Sequence, residues 1–336
     1  MKFVRLERLV GLSLVACSTA ISDHPDSALA DSSTDAVAAV DAGADVDTSP
    51  LAAEIKKDLL FRTVGKIDLA GDLYLPARTT PVAAVIVIHG GGFSSGDKGG
   101  DSEVAWGEIL KTAGIAAFVV NYRVYSDFSG GEVAFPAAVM DIKCSISWLR
   151  MKAATYRIDA NHIFAFGSSA GGFYSNFLGT TGDDPTFTPN DCAEGAKESN
   201  RVQGVVTYFG PSDWNALFND PARAGSANAE KKLIGLGSST TPCAPNSADA
   251  NGICKSASAT TYAGATDPPF FLTHSVDDPT VPVGQSRTMK AALDAAKVAV
   301  TYREVDGLKH GWHANPKDET ALSVRADVLA WLSAHK

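Results

Sequence analysis

The strongest constraint on the fold comes from an apolar run that leads directly into small residues. An Ile-Phe-Ala-Phe run is followed by Gly-Ser-Ser-Ala-Gly-Gly at 167–172, and then by a helix-like segment. The run is typical of a buried strand, and the glycines permit the sharp turn of a strand–turn–helix elbow. Such an elbow exposes a serine hydroxyl at the carboxyl end of its strand. Because Ser169 lies midway between Gly167 and Gly171, it is the predicted nucleophile rather than Ser168.

From about residue 56 the chain alternates between strand-like and helix-like segments. Several strand-like runs are continuously apolar or β-branched, as strands buried on both faces are. This alternation predicts an α/β fold with a mostly parallel, doubly wound sheet, and the first two strands, which have no helix between them, predict an antiparallel N-terminal edge. The predicted strands are 59–64, 67–75, 82–88, 115–122, 162–166, 202–209, 270–274 and 299–305, and the predicted helices are 102–113, 134–153, 169–178, 283–297 and 318–334.

The interval 213–268 is irregular and rich in serine, alanine and glycine. It is too long for a plain connection, and insertions of this kind often serve as lids over a site. We therefore predict a small irregular insertion whose aromatic residues Trp214, Phe218 and Tyr262 shape a substrate pocket.

Residues 1–16 resemble a signal peptide, because a basic start precedes a short apolar stretch that ends in a small residue. The site Leu14-Val15-Ala16-Cys17 resembles a bacterial lipobox, which implies cleavage before Cys17 and lipidation of this residue. An ordinary secretory signal with an incidental cysteine is the alternative. Both alternatives predict export, either to the cell envelope as a lipid-anchored protein or into the medium. We expect membrane contact only through the lipidated N-terminus.

Residues 17–55 are predicted to be a disordered acidic linker, and residues 56–336 a single catalytic domain. Between 17 and 50 the chain has seven aspartates, no lysine or arginine and no aromatic residue, so this segment cannot bury enough apolar surface to order itself. The whole chain has a formal net charge of −9 and no basic run, so we expect no nucleic-acid partner.

The cysteines beyond Cys17 fall into two groups. Cys144 lies in an apolar helical pattern and is predicted to be a small core residue, whereas Cys192, Cys243 and Cys254 lie in polar stretches. In an oxidising envelope the first expectation is a Cys243–Cys254 disulfide that closes a short loop. Cysteine and histidine spacings do not fit a zinc site, and we expect no metal and no cofactor.

A glycine-rich loop, His-Gly-Gly-Gly-Phe at 89–93, directly follows a predicted strand. Loops of the HGGG type supply backbone N–H groups to an oxyanion hole, together with the N–H of the residue after the nucleophile, here Ala170. A phosphate-binding loop is the alternative. It is disfavoured because the Gly-Lys-Ser/Thr ending is missing and because Asn121-Tyr122-Arg123 stands where a dinucleotide fold would have an acidic residue.

The base and its orienting acid should follow the serine in the order Ser, Asp, His. His310 lies in a loop just past the last predicted strand, at the sheet edge where ligands bind in such folds. His313 is the less favoured candidate and is expected to be a surface residue. Asp277 and Asp278 both follow the strand 270–274, and either could orient the histidine while the other caps a turn.

These motifs resemble the α/β-hydrolase superfamily, and within it the HGGG-type carboxylesterases related to hormone-sensitive lipase and to bacterial feruloyl-esterase-like enzymes. The resemblance runs from about residue 59 to the C-terminus and is weak across 213–268. It implies that Asp278, three residues before a Val-Pro pair, is the acid and that His310, in a Gly-x-x-His-Gly loop, is the base.

The resemblance also implies an oxyanion hole made by Gly91, Gly92 and Ala170. The expected function is hydrolysis of short-chain or aromatic, feruloyl-type esters by Ser169, with a small-molecule or polymer-linked ester as substrate. A serine peptidase or amidase on the same fold is the nearest alternative. A non-catalytic surface binding protein is a further alternative, and it would predict the loss of a member of the Ser-His-Asp set.

Overall fold

The computed structural model describes residues 49–127, 135–223, 228–236 and 239–336. The predicted signal peptide, Cys17 and most of the predicted linker lie outside these residues. The strands of the described chain are β1 (Glu54–Val64), β2 (Ile67–Leu75), β3 (Val82–Ile88), β4 (Ala116–Val120), β5 (Ile158–Ser168), β6 (Val205–Tyr208), β7 (Phe270–Ser275) and β8 (Val300–Val305). They form a single sheet in the order β1-β2-β4-β3-β5-β6-β7-β8.

The sheet combines a parallel body with an antiparallel edge. Strands β4, β3, β5, β6, β7 and β8 are parallel to their neighbours, whereas β1 and β2 form an antiparallel hairpin that pairs with β4. Parallel neighbours require crossover connections, and helices between the strands provide them. The predicted doubly wound α/β sheet with an antiparallel N-terminal edge is therefore confirmed.

Helices cover both faces of this sheet. Alternate residues of β3 point into different cores: Ile86 faces the core that includes α2, α4 and α9, and Val87 faces the core that includes α1 and α10. The helices are α1 (Asp101–Thr112), α2 (Ala137–Met151), α3 (Ala153–Tyr156), α4 (Ala170–Thr181), α5 (Trp214–Phe218), α6 (Asn228–Leu233), α7 (Ala248–Asn251), α8 (Ile253–Ser256), α9 (Gly284–Ala295) and α10 (Glu319–Ala334), with 3₁₀ turns at Tyr125–Asp127, Pro185–Phe187, Ala193–Gly195, Ala259–Tyr262 and Trp312–Ala314.

The first strand begins earlier than the sequence predicted. It starts at Glu54, inside the predicted 17–55 linker, and before it Leu51 already pairs with Arg78 through backbone hydrogen bonds. Half of the side chains in this edge strand face solvent, so its first residues lack the apolar run that marks the interior strands. The folded domain therefore begins before residue 54, within the range predicted to be linker.

The interval 213–268 contains four short helices, α5 to α8, in its described part. The predicted Cys243–Cys254 disulfide is present and joins the segment that precedes α7 to α8. Trp214 is buried, with its ring centroid 5.2 Å from that of Phe173, and Tyr262 packs 5.3 Å from Phe177. These aromatic rings fasten the insertion to α4.

Cys144 lies in the core, as predicted, but the prediction missed its bond to another cysteine. Cys144 is buried on α2, but it forms a disulfide with Cys192, 48 residues further along the chain. The segment that carries Cys192 is also held to the sheet, because the backbone of Cys192 pairs with Arg62 of β1. The apolar sequence around Cys144 does not indicate a disulfide, because Cys192 comes close only in the tertiary fold.

Within the described residues, no helix is both long enough and apolar enough to cross a bilayer.

Candidate active site

The elbow between β5 and α4 holds Ser169 in a strained backbone conformation. Ser169 has φ 55° and ψ −120°, a region that non-glycine residues rarely occupy. A Cβ on Gly167 would lie 2.2 Å from the carbonyl oxygen of Gly171, and a Cβ on Gly171 would lie 2.1 Å from that of Ile88. Both glycines are therefore required by close backbone packing around the serine.

The neighbouring serines differ in exposure. Ser168 is the last residue of β5 and is only 3% exposed, whereas Ser169 is partly exposed, and both line one cavity. The backbone N–H of Ser169 donates to the carbonyl oxygen of Tyr208 on the neighbouring strand β6, at 3.0 Å. This bond fixes the elbow to the carboxyl edge of the sheet, where ligands of such sheets bind.

The loop after β3 faces the elbow at close range. Gly91 and Gly92 have φ values of 116° and 58°, so both lie in the region that favours glycine. At Gly91 a side chain is also excluded by space, because a Cβ would come within 1.9 Å of the carbonyl oxygen of Ser95. Both glycines line the same cavity as Ser169.

Ala170 is the first residue of α4 and follows Ser169 directly. Backbone N–H groups in the first turn of a helix have no acceptor within the helix, so they are free to bind an incoming oxygen. The structure therefore brings the predicted donors Gly91, Gly92 and Ala170 to the same edge as Ser169.

His310 connects the serine to a carboxylate. Ser169 Oγ donates to His310 Nε2 over 2.8 Å, and His310 Nδ1 donates to Asp278 Oδ2 over 2.7 Å. A carboxylate can only accept, so the ring carries its proton on Nδ1 and leaves Nε2 as the acceptor for the serine proton. This is the geometry of a nucleophile, a base and an orienting acid.

The two adjacent aspartates have different partners. Asp278 Oδ1 accepts from the backbone N–H groups of Thr280 and Val281, at 2.8 and 3.0 Å, which leaves Oδ2 directed at His310. Asp277 Oδ2 instead accepts from the N–H of Gly307, at 2.6 Å, and so caps a turn. The structure thus brings Asp278, not Asp277, to the histidine.

Asp278 is held as a carboxylate at a buried position. Burial alone would raise its pKa, but hydrogen bonding to His274 and His310 outweighs burial and keeps the pKa well below its usual range. His274 is buried beside it, with Nε2 2.8 Å from the Val281 carbonyl and 3.6 Å from Asp278 Oδ2. Ser286 Oγ lies 2.8 Å from the other ring nitrogen and fixes the orientation of the imidazole.

The expectation that His313 lies on the surface was wrong. This histidine is buried, and burial lowers its pKa to about 4, with a further lowering from the nearby His310. The 3₁₀ turn Trp312–Ala314 folds the residue under the loop against Tyr208 and Phe209. His313 is therefore neutral at pH 7 and lines the inner wall of the cavity.

The cavity above Ser169 has a volume of about 510 Å³. Its walls come from the HGGG loop, the segment 96–103, the elbow, Phe209, Thr280 and the loop 310–313. In the described part of the chain the insertion 213–268 does not reach this wall, so the expectation that Trp214, Phe218 and Tyr262 shape the pocket was wrong. Trp214 and Tyr262 pack against α4 instead, and Phe218 stacks on Trp214.

Several residues support the site without having been assigned a role from the sequence. Tyr122 OH donates to the carbonyl oxygen of His89 over 2.8 Å, and the two rings stack at 4.1 Å. Asn121 holds the next segment, because its side chain bonds the N–H of Lys98 and the carboxylate of Asp97. In the sequence, the Asn121-Tyr122-Arg123 motif was the feature that could have indicated this support. Its role becomes clear only from the hydrogen bonds of Asn121 and Tyr122.

Fold and site together define the class of an α/β-hydrolase. Esterase 2 of Thermogutta terrifontis, phosphonylated by sarin, has a TM-score of 0.66 and 21% identity, over 83% of this chain and 95% of that one. A truncated carbohydrate esterase from gut microbiota has a TM-score of 0.65 and 24% identity, over 86% of this chain and 98% of that one. At such identities the likeness shows the fold alone.

Sequence comparison defines the family. Residues 71–293 match the model of the BD-FAE family, and the chain belongs to this family. Esterase LipQ of Mycobacterium tuberculosis is 27% identical over 257 residues, which are 76% of this chain and 54% of that protein. The probable carboxylic ester hydrolase LipM of the same organism is 27% identical over 70% of this chain and 50% of that protein. This chain thus spans about half the length of these curated relatives.

Proposed function

We propose that this protein is a serine carboxylic-ester hydrolase with Ser169 as nucleophile, His310 as base and Asp278 as orienting acid. The observation that carries the proposal is the continuous hydrogen-bond chain Ser169–His310–Asp278 beneath a cavity. Membership of the BD-FAE family and similarity to named esterases support it.

The reaction would proceed by two acyl transfers. Ser169 Oγ attacks the ester carbonyl while its proton passes to His310 Nε2. The C–O bond to the alcohol then breaks, and the alcohol leaves with that proton. A water molecule next attacks the acyl-enzyme and gives its proton to the same nitrogen, after which the acid departs and Ser169 regains its hydrogen. Asp278 stabilises the imidazolium and is not itself protonated.

We further propose that the N–H groups of Gly91, Gly92 and Ala170 stabilise the oxyanion formed in each step. The positive φ angles of the two glycines and the free first turn of α4 support this role. Such donors act most strongly where the charge develops in a site shielded from water, and the loss of one typically costs about 10²–10³-fold in rate.

The substrate class that we propose is short-chain or feruloyl-type esters. A cavity of about 510 Å³ is large enough for an aromatic acyl group, and family membership is consistent with such a substrate. Export remains our proposal for the location, with lipidation at Cys17. Two disulfides support it, because disulfides persist mainly in oxidising compartments.

The proposed function is tested by hydrolysis of a short-chain nitrophenyl ester. Ser169→Ala should lower kcat/KM by at least about 10⁴-fold, because it removes the attacking oxygen. Ser168→Ala is the matched control, since it deletes the same hydroxyl from the buried neighbour, and we expect it to stay within about tenfold of wild type. Equal activity of Ser169→Ala and wild type would refute the assignment.

A further inference from the structure

The cavity above Ser169 carries a buried carboxylate that the proposed mechanism does not use. Glu103 lies in the first turn of α1, is 8% exposed and lines this cavity. Its Oε2 accepts a 2.7 Å hydrogen bond from Ser102 Oγ, and among the described residues no lysine, arginine or histidine forms an ion pair with it. Burying a carboxylate without a cationic partner costs free energy, so its position requires an explanation.

The start of the helix explains the position of Glu103 only in part. A carboxylate in the first turn is stabilised by the helix dipole. Asp101, which is exposed, already supplies a carboxylate in the first turn of α1. A second carboxylate turned into the cavity is therefore not needed to start α1.

His89, another polar residue that lines this cavity, is also a hydrogen-bond acceptor. His89 Nδ1 lies 2.7 Å from the carbonyl oxygen of Gly90, which requires the proton on Nδ1 and leaves Nε2 as a buried acceptor without a partner. Burial lowers the pKa of His89, against the opposing effects of Gly90, Glu103 and Asp97, so the ring is neutral at pH 7. The neutral His89 ring therefore does not compensate the negative charge of Glu103, whose hydrogen bond from Ser102 Oγ brings no positive charge.

Glu103 is accompanied by other carboxylates, because Asp97 also lines the cavity above Ser169. Glu103 and Gly311 also line a second cavity of about 560 Å³, to which Asp101 contributes another carboxylate. Among the described residues that line either cavity there is no lysine or arginine. The guanidinium of Arg325 packs over the ring of Trp106, 5.9 Å from its centroid, and lines neither cavity.

We propose that Glu103 is a specificity-determining residue that sets the charge preference of this site. Esters with a positively charged group near the scissile bond react faster than neutral esters of the same shape, and anionic esters react more slowly than both. A cationic substrate supplies the counter-charge that Glu103 lacks, whereas an anionic one brings like charges together. This inference rests on the proposed function, because it concerns the substrates of the same site.

The test compares kcat/KM for two series of matched esters on wild type and Glu103→Gln. One series varies the alcohol: acetylcholine, its neutral isostere 3,3-dimethylbutyl acetate, and the acetate of an alcohol of equal length that ends in a carboxylate. The other varies the acid, as nitrophenyl esters of a chain that ends in an ammonium, a methyl or a carboxylate group. We expect the kcat/KM of wild type to be about tenfold higher for the cationic ester than for the neutral ester in at least one series. The series that shows this preference identifies whether the acid or the alcohol side of the ester faces Glu103.

Glu103→Gln should remove this preference while the rate for the neutral ester stays within about threefold of wild type. A residue that only stabilised the helix would change all rates by the same factor. Glu108→Gln is the matched control, because Glu108 lies on the same helix, pairs with Lys111 and lines neither cavity, and it should keep the wild-type preference. If Glu103→Gln does not fold, as judged by circular dichroism, Glu103→Met replaces it.

Two results would overturn the inference: no charge preference of wild type in either series, or the same preference in wild type and in the Glu103 variant. Failure of the proposed function gives a different result. In that case wild type would hydrolyse none of the six esters and would not react with a fluorophosphonate.

Discussion

The two halves of the candidate site are held in place by different means. On the nucleophile side, the elbow and the HGGG loop touch through backbone atoms, and glycine is required because a Cβ at Gly171 would lie 2.1 Å from the carbonyl oxygen of Ile88. On the histidine side, Asp278 and His310 are positioned by hydrogen bonds to their side chains, with His274 packed behind them.

This difference determines how each half responds to substitution. Backbone packing at van der Waals distance leaves no room for relaxation, so one methyl group forces two strand ends apart. A side-chain hydrogen bond can be removed with little change in shape, so the chemistry can be lost while the fold persists. Substitutions on the nucleophile side should therefore affect stability and activity together, and substitutions on the histidine side should separate them.

The largest expected effect is that of Gly171→Ala. The new methyl group would collide with the carbonyl oxygens of Ile88 and His89, so we expect a loss of at least about 3 kcal/mol in the free energy of unfolding, together with loss of activity. Gly114→Ala is the matched control, because Gly114 has φ 76° but open space around its Cβ position. There we expect only the conformational cost, about 1 kcal/mol. Urea unfolding measures both, and equal losses would contradict the packing argument.

Asp278→Asn should remove activity while the protein still folds. Asparagine can still accept from the N–H groups of Thr280 and Val281, but it no longer presents a negative charge to His310. We expect kcat to fall by about 10³–10⁴-fold in a variant that still folds, with a lower thermal unfolding midpoint because the folded protein stabilises the ionised Asp278. Asp277→Asn, one residue away and bonded to Gly307, should stay within about tenfold of wild type. If Asp277→Asn lost more activity than Asp278→Asn, Asp277 would be the orienting acid.

A third expected effect concerns His313 and appears only at acid pH. Its pKa is about 4 in the folded protein, whereas a histidine in an unfolded chain titrates near 6.5. Between these values the unfolded state binds a proton that the folded state does not. The stability contribution is therefore complete above pH 6.5 and is lost as the pH falls towards 4, by about 3 kcal/mol in all.

Comparison of unfolding free energies at pH 7 and pH 4.5 measures this effect. His313→Gln should lose less stability than wild type on acidification, because it has no group to protonate. His162→Gln is the control, since His162 is partly exposed and already lies 2.7 Å from the Asp159 carboxylate. An identical loss in wild type and His313→Gln would show that His313 does not contribute.

The sequence predicted the parallel sheet well, and with it the position of Ser169 and the HGGG loop at one edge, because these signals are local. Ser169 and the HGGG loop each directly follow an apolar strand, and the carboxyl ends of parallel strands meet at one edge. The choice between Asp277 and Asp278 needed family knowledge, since both follow the same strand. The contacts show the physical reason: the N–H groups of Thr280 and Val281 bind only Asp278.

The features that the sequence did not predict depend on contacts between distant segments. Cys144 and Cys192 are 48 residues apart, and nothing in their neighbourhoods indicates the pairing. The burial of His313 results from packing against Tyr208 and Phe209 of another strand. Glu103 looks like an ordinary first-turn carboxylate until the cavity around it is known.

Locating the adduct formed with a fluorophosphonate tests directly whether Ser169 is the nucleophile. We expect wild type to gain one phosphonyl group per chain, which peptide mass spectrometry places on Ser169, and Ser169→Ala to gain none. Asp278→Asn should react much more slowly at the same residue, since Ser169 keeps its place while His310 loses its orienting charge. An adduct on any other residue, or none on folded wild type, would contradict the account.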